Sequence, residues 1–265
     1  MSIMLHPDMY LQTDHDLPRA AIGYACARVR GAMNPSHSHW RGQLIYAISG
    51  SLKVISTAGT WIVPPERAVW MPSNVEHAVQ SLTEAETRFL YLDPDVYSGL
   101  PSKVTVIHMT PLMRECLLAF LSLPRFYDED GIAKHLVAIM VEELRVMPVM
   151  PLHLPQPKTP SLQKAANALI ADIGNTPKLS TLAHEAGLSV RSFERHFQKE
   201  TGLTWRKWML QAKLMEAISQ LSGGERVGDV AHSLGYEGPS AFVSMFKKAT
   251  GMTPGKYFAE AENGA

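Results

Sequence analysis

The stretch "LAHEAGLSVRSFERHFQKETGLT" at residues 182–204 returns as "VAHSLGYEGPSAFVSMFKKATGMT" at 230–253. The offset is 48 residues up to Gly235 and 49 after one residue inserted in the turn. Ala183 matches Ala231, Gly187 matches Gly235, Phe193 matches Phe242, Phe197 matches Phe246, and Thr201-Gly202 matches Thr250-Gly251. A long period seen only twice indicates a duplicated small domain, because a solenoid needs more copies. Each copy has the parts of a helix-turn-helix. A short helix packs its small alanine against a second helix, and the glycine permits the tight turn between them. Ser189 is placed to cap the second helix by accepting from its unpaired amides. Gly238 and Pro239 occupy the cap and first-turn positions of the other copy, which suit them.

Helical spacing separates the faces of the second helix in the first copy. Val190, Phe193 and Phe197 form the inward stripe, and Arg191, Glu194, Arg195 and Gln198 lie at i, i+3, i+4 and i+7 on the other side. A polar face with two arginines is also what any solvated helix presents. Its position on the second helix of the motif is what points to the major groove of DNA. Arginine can pair with guanine or grip phosphate, and glutamate can accept from cytosine N4. Between the copies, "TWRKWMLQAKLMEAISQL" (204–221) has no Gly or Pro, and eighteen residues at about 1.5 Å each span roughly 27 Å. That rod could hold two reading helices close to one DNA turn apart, about 34 Å. Trp205, Trp208, Leu210 and Leu214 read as its core-facing side chains.

Residues 160–260 resemble the DNA-binding domain of the AraC/XylS transcriptional regulators. The second copy carries the family's "A-x-x-L-G-Y" run, the paired "F-x-x-x-F-K-K" and a closing "G-x-T-P-x-x-Y". The resemblance implies an all-α domain over 161–260, with helix-turn-helix units at 179–200 and 227–249 entering successive major grooves. It places base-reading residues at Arg191, Glu194 and Arg195 in the first unit, and at Ser240, Val243, Ser244 and Lys247 in the second. Many members have arginine where Ser244 stands, so the first unit is expected to discriminate bases more strongly. Lys247 and Lys248 then serve mostly as phosphate contacts.

The other half has a different character. Prolines 148, 151, 155, 157 and 160 in "PVMPLHLPQPKTP" exclude a continuous helix or central strand, and predict an extended linker over 148–160. Residues 1–155 carry 12 Lys+Arg against 15 Asp+Glu, and residues 156–265 carry 13 against 10, so the zero net charge conceals halves of opposite sign. A surplus of three charges is too small to establish nucleic-acid binding without the helix faces. Residues 20–108 read as short strands rich in β-branched and aromatic residues, broken by turns such as "STAGT" and "MPSN". This predicts a small β-barrel or sandwich within 1–110. In 111–147 the period becomes helical. Ile132, Leu136, Ile139 or Met140, Glu143 and Met147 trace one side, and Leu136, Met140, Leu144 and Met147 keep helical spacing. This helical segment either covers the barrel or meets its copy in a second chain, and the two are compatible.

Within the barrel, Gly31, His37, His39, Gln43 and Gly50 keep the spacing of the first cupin motif, with Gln43 in place of the usual glutamate. "MPSNVEH" ends in His77 like the second motif, with Asn74 where glycine is usual. The resemblance covers residues 20–95 and implies a cupin-like barrel with His37, His39 and His77 converging inside. The fold class is therefore α+β multidomain. Three imidazoles and a carboxamide could hold a divalent metal such as Zn, Ni, Mn or Fe. They could equally serve as metal-free donors to a small effector, or be satisfied by the barrel's own polar groups. Trp40, Tyr46, Trp61, Trp70 and Tyr91 could line the cavity or form plain core.

AraC/XylS proteins with such a front end sense a small molecule and pair their chains, and "HSHWRGQLIYAISG" with "WIVPPERAVWMPSNVEH" is similar to the branch that includes regulators of a nitroimidazole exporter. The chain thus reads as a transcription regulator that is not an enzyme. Double-stranded DNA, a small-molecule effector and a second copy of the chain are its expected partners, and RNA polymerase is a further candidate. The rival reading is a metal-dependent cupin enzyme or metal sensor fused to a DNA-binding domain. No certain cofactor, membrane span or secretory signal is indicated, and two cysteines in a reducing cytoplasm fit no disulfide framework.

Overall fold

The computed structural model describes residues 17–64, 67–146 and 153–262. The chain divides into two compact units. One holds the described residues up to Ser56 and those of 61–146, and the other holds Thr57–Thr60 and 153–262.

The first unit is built on two sheets. In one, β1 (Ala21–Arg28), β8 (Ala85–Leu92), β3 (Gly42–Ser49), β6 (Arg67–Met71) and β9 (Thr105–His108) are neighbours in that order. All four pairings are antiparallel. The other carries β5 (Gly59–Val63), β4 (Leu52–Ser56), β7 (His77–Ser81) and β2 (Met33–His37) in that order. Strand β3 shows why "QLIYAI" lacks the alternation of a half-exposed strand: it is buried on both faces. Leu44 and Tyr46 join a cluster with Met113, Leu117, Met140 and Leu144 of the helical layer. Gln43 looks the other way, into the barrel.

That layer is two helices rather than one segment. α1 (Pro111–Leu121) is capped by Thr110, whose hydroxyl accepts from Met113 N at 3.1 Å and donates to Glu143 of α2 (Ile132–Val146) at 2.5 Å. The buried side of α2 is Ala133, Val137, Met140, Val141 and Leu144; Met140 and Leu144 of the predicted stripe are in it, and Leu136 is only partly buried beside it. These residues join the core cluster with Leu44 and Tyr46, and α2 packs chiefly along α1. Ile132 and Ile139 are left outside at 61% and 38% exposure, and Met147 lies outside the described residues. The helical layer does cover the barrel.

The proline-rich stretch also departs from a plain spacer. Residues 148–152 of it lie outside the described residues, but His153–Pro155 form the short strand β10. Pro160 is the first residue of α3 (Pro160–Ala171), where a missing N–H costs nothing. Glu200 accepts from Lys158 N at 2.6 Å and from Thr159 N and Oγ1 at 2.9 and 2.5 Å. Trp208 Nε1 donates to Pro155 O at 2.7 Å, so the end of the linker is bonded into the second unit.

There the duplication is visible bond by bond. α4 (Leu179–Glu185) turns into α5 (Val190–Thr201) through Leu188 N to Ala183 O at 2.9 Å. α7 (Val227–Ser233) turns into α8 (Pro239–Thr250) through Tyr236 N to Ala231 O at the same distance. Thr201 and Thr250 each donate to the carbonyl four residues back, and Gly202 and Gly251 end the two helices in left-handed backbone. Phe193, Phe197, Trp205 and Trp208 interlock edge to face between α5 and α6 (Trp205–Ser222). α9 (Pro254–Glu262) closes the second copy with Tyr257 against Phe246 at 5.5 Å. Two expected core residues are not in it: Val190 is 40% exposed and Leu210 38%. Val190 opens α5, where a first helical residue has few neighbours to cover it, and the aromatic quartet fills the core without Leu210.

The two turn glycines differ in one testable respect. Both have positive φ, +70° at Gly187 and +73° at Gly235. A Cβ on Gly187 would meet nothing, whereas one on Gly235 would stand 2.2 Å from the Gly174 carbonyl oxygen. Gly187→Ala is expected to cost the left-handed penalty of about 1–2 kcal/mol. Gly235→Ala should lower the denaturant midpoint distinctly further; equal midpoints would contradict the packing described.

Candidate functional site

Two cross-strand pairs frame the barrel site, one from each sheet. His37 at the end of β2 faces His77 at the start of β7, and Gln43 on β3 faces Tyr91 on β8. His39 sits in the loop before β3, and its carbonyl accepts from Asn74 N at 2.8 Å, tying the two histidine-bearing loops together. Asn74 has φ +60°. Asparagine tolerates this left-handed backbone, so its replacement of a motif glycine preserves the turn. One ring nitrogen of each histidine lies within 4.8 Å of the others.

The tautomers follow from the carbonyls around the rings. His37 Nδ1 lies 2.8 Å from Pro35 O, His39 Nδ1 2.7 Å from Arg41 O, and His77 Nδ1 2.8 Å from Val75 O. A carbonyl only accepts, so each Nδ1 carries the hydrogen and each Nε2 keeps its lone pair. The Nε2 atoms of His39 and His77 are each 3.1 Å from Gln43 Oε1, whose amide nitrogen donates to the Tyr91 hydroxyl at 2.5 Å. The cluster is therefore a set of converging acceptors. Burial, first of all, pushes the His77 pKa down to about 4, with the neighbouring His37 and His39 adding to the effect; burial likewise lowers that of His39. The neutral form of His39 and His77 is thereby favoured near pH 7. Burial also raises the Tyr91 phenol well above its ordinary value, keeping it protonated.

A cavity of about 40 Å³ adjoins this cluster, lined in part by Tyr24, Arg28, Asn34, His37, Gln43 and Tyr91. Of the aromatics named from the sequence, only Tyr91 lines it. Tyr46 and Trp70 belong to the helix-covered core, Trp61 is buried elsewhere, and Trp40 is 39% exposed beneath the Arg41 guanidinium. Sequence reading missed Arg28. It is 5% exposed, and Nε donates to Ser81 Oγ at 2.7 Å while Nη2 reaches the Ala32 and Val79 carbonyls at 3.4 and 3.3 Å. Among the described residues it has no carboxylate partner. The signal was there: Tyr24, Cys26 and Arg28 alternate along β1 and share one face.

In the second unit the named side chains fall on the outer faces of α5 and α8. Arg191, Glu194, Arg195 and Gln198 are exposed; so are Ser240, Ser244, Lys247 and Lys248, while Val243 is half-buried. Ser189 caps α5 by accepting from Ser192 N at 3.2 Å, and Gly238 takes the cap position of α8 ahead of Pro239. Arg191 and Arg195 form no ion pair among the described residues, so their charge is directed to solvent.

A barrel with a polar-lined cavity, joined in one chain to a pair of helix-turn-helix units, has the parts of a DNA-binding regulator with an N-terminal ligand-binding domain. The model of the AraC-like ligand binding domain matches residues 24–190, and that of a helix-turn-helix domain matches 182–260. The chain belongs to the AraC family of DNA-binding transcription regulators. It is 34% identical over 226 residues to the HTH-type transcriptional regulator NimR of Escherichia coli, covering 85% of this chain and 82% of that one. It is 30% identical over 97 residues to the HTH-type transcriptional activator RhaR of Klebsiella pneumoniae, covering 36% and 34%. A similar solved structure is the DNA-binding domain of AdpA in complex with a target DNA, 25% identical, covering 39% of this chain and 93% of that one at TM-score 0.36. No helix among the described residues is long and apolar enough to cross a membrane.

The Gln43 amide gives the barrel site a stability test. Tyr91→Phe removes the hydroxyl that Gln43 Nε2 meets and leaves a buried donor without it. The cost is expected at about 1–3 kcal/mol in urea unfolding. A change within error would show that the amide does not depend on Tyr91.

Proposed function

We propose that the first helix-turn-helix unit carries most of the operator discrimination and that the barrel cavity is where an effector is sensed. The observation that carries the first part is the solvent-facing set Arg191, Glu194, Arg195 and Gln198 on one side of α5, with both arginines free of carboxylates among the described residues. The matching side of α8 offers Ser240, Val243 and Ser244, which can make few bidentate base contacts, and Lys247 and Lys248, which suit phosphate. Arg195→Ala should cost about 1–3 kcal/mol on the cognate site and relax preference at one position. Lys248→Ala should weaken all sequences alike and flatten the salt dependence. A gel-shift series with both variants over several salt concentrations checks this. Unchanged preference in the Arg195 variant removes the residue from base reading.

The chain acts as a homodimer in this reading, through the side of α2 that the barrel leaves open. Ile132, Ile139 and Val146 recur every seven residues there, at 61%, 38% and 76% exposure. Ile139→Glu is expected to shift sedimentation toward the monomer at micromolar protein; an unchanged distribution places the pairing surface elsewhere. RNA polymerase is the natural further partner of a promoter-bound dimer. A non-catalytic role is favoured because none of the cavity-lining residues is a carboxylate. Glu76, the acid next to His77 in sequence, is exposed and bonded to Ser36 at 2.9 Å. A regulator that binds chromosomal DNA acts, in this reading, in the cytoplasm, a reducing compartment that suits the free cysteines Cys26 and Cys116.

A further inference from the structure

The duplication supplies a control for Glu200. The matching position in the second copy is Ala249, yet α8 ends as α5 does. Thr201 and Thr250 each donate to the carbonyl four residues back, and Gly202 and Gly251 follow in left-handed backbone. A carboxylate is therefore not needed to build or end the second helix of such a unit. What distinguishes Glu200 is a set of partners outside the repeat. Its Oε2 accepts from Lys158 N at 2.6 Å and Thr159 N at 2.9 Å, and its Oε1 from the Thr159 hydroxyl at 2.5 Å. Burial alone would raise the Glu200 carboxyl, but the Thr159 and Lys158 donors, with His196 nearby, hold it below its ordinary value. All three donors therefore meet an ionised acceptor near pH 7, and such bonds are roughly twice as strong as neutral ones.

These bonds hold the last residues of the linker. Thr159 stands at the N-cap of α3 and makes no side-chain capping bond there, its hydroxyl being turned to α5 instead. Pro160 follows with φ fixed by its ring, so 158–160 enters α3 as a stiff piece. Upstream, the same stretch is held on α6, where Trp208 Nε1 donates to Pro155 O at 2.7 Å and Gln211 Nε2 to His153 O. Glu200 differs from these anchors in the helix it stands on. α5 carries Arg191, Glu194, Arg195 and Gln198 on its outer side and is pinned at its start by Ser189. Its twelve residues form a rod of about 18 Å. Pivoted at the capped start, a shift of about 1 Å at Glu200 carries Arg195 by about 0.5 Å. That is the tolerance of a directed polar contact, whereas attraction to phosphate falls off over a Debye length of about 8–10 Å. A displaced latch thus costs base reading before it costs general attachment to DNA.

We propose that Glu200 is a positioning residue for operator reading: it latches the end of the proline-rich linker onto α5, so that the linker's placement sets how Arg191 and Arg195 enter the major groove. The chain coming from the first unit reaches the second through this linker. A pull on the linker therefore acts on the helix of the first helix-turn-helix unit, while α8 has alanine at the corresponding position. This rests on the reading of α5 as the more discriminating helix, and the Arg195→Ala variant separates the two claims.

The full chain is measured by fluorescence anisotropy on two duplexes, one selected by the wild-type chain from a random pool and one a shuffle of it. Each variant is held well below its own unfolding midpoint. Glu200→Ala should lower the preference for the selected duplex by roughly tenfold, the lower part of what one bidentate base contact is worth, with affinity for the shuffled duplex and the salt dependence unchanged. Glu200→Gln keeps one acceptor oxygen and should fall between the two. Thr159→Ala should give a smaller loss, and none beyond that of Glu200→Ala when the two are combined, since both remove the same contact. Affinity falling alike on both duplexes marks ordinary destabilisation and overturns the proposal, as does full additivity of the two substitutions. Preference lost in Arg195→Ala but kept in Glu200→Ala overturns the latch and leaves α5 as the reading helix. Preference kept in both overturns the reading of α5 and the latch with it.

Discussion

A buried lone pair must meet a proton or a cation, and in the first unit that requirement organises the barrel. Gln43 lies on one sheet and His77 on the other, and the amide between Tyr91 and the two imidazoles is the polar link across the interior. Because residues on a strand alternate, fixing Gln43 inward also fixes Leu44 and Tyr46 outward, where they anchor the helical layer. One residue of slippage in β3 would expose the amide to the helices and present Leu44 to the histidines. The apolar core and the polar site thus specify the same register. That agreement between levels distinguishes a single native arrangement from several near-equal ones.

In the second unit the corresponding constraint is steric. The turns of both helix-turn-helix units need left-handed backbone, and at Gly235 the approach of Gly174 leaves no room for a side chain. The duplicated threonines and glycines then end both second helices in the same way. The geometry of the two copies is thereby preserved while their outer faces diverge. α5 presents two arginines and a glutamate, whereas α8 presents serines and lysines. Duplication kept the parts that position a helix, while the solvent-facing residues diverged.

What could be read in the sequence was what depends on local chemistry. Ser189 as a cap, Gly187 and Gly235 as turns, and the phenylalanines as core follow from backbone and helical period alone. The spacing of His37, His39 and His77 likewise pointed to a common site, which the structure locates on the paired strands β2 and β7 and the loop before β3. Less legible was everything decided by a neighbour distant in sequence. The buried stripe of α2 keeps the expected Met140 and Leu144 but takes Ala133 and Val137 in place of Ile132 and Leu136, because which of two adjacent apolar rows faces inward is set by the core it meets. Val190 and Leu210 are apolar at plausible spacing yet uncovered. Pro160 looked like linker and proved to be the first residue of a helix, held by Glu200 some forty residues away. Arg28 was passed over although it alternates with Tyr24 and Cys26 along β1, because alternation shows a shared face and not its depth.

The same reasoning bounds how the barrel could influence DNA binding. An effector shifts an equilibrium only by the difference in its affinity for two forms of the protein. Couplings of this kind are commonly about 1–3 kcal/mol. Pairing a buried guanidinium with an anion is a change of that order, since a desolvated charge without a counter-ion is costly to the form that contains it. Arg28 donates to Ser81, to Val79 on β7 and to the Ala32 carbonyl just ahead of β2, so whatever it binds acts on the strands that carry His37 and His77.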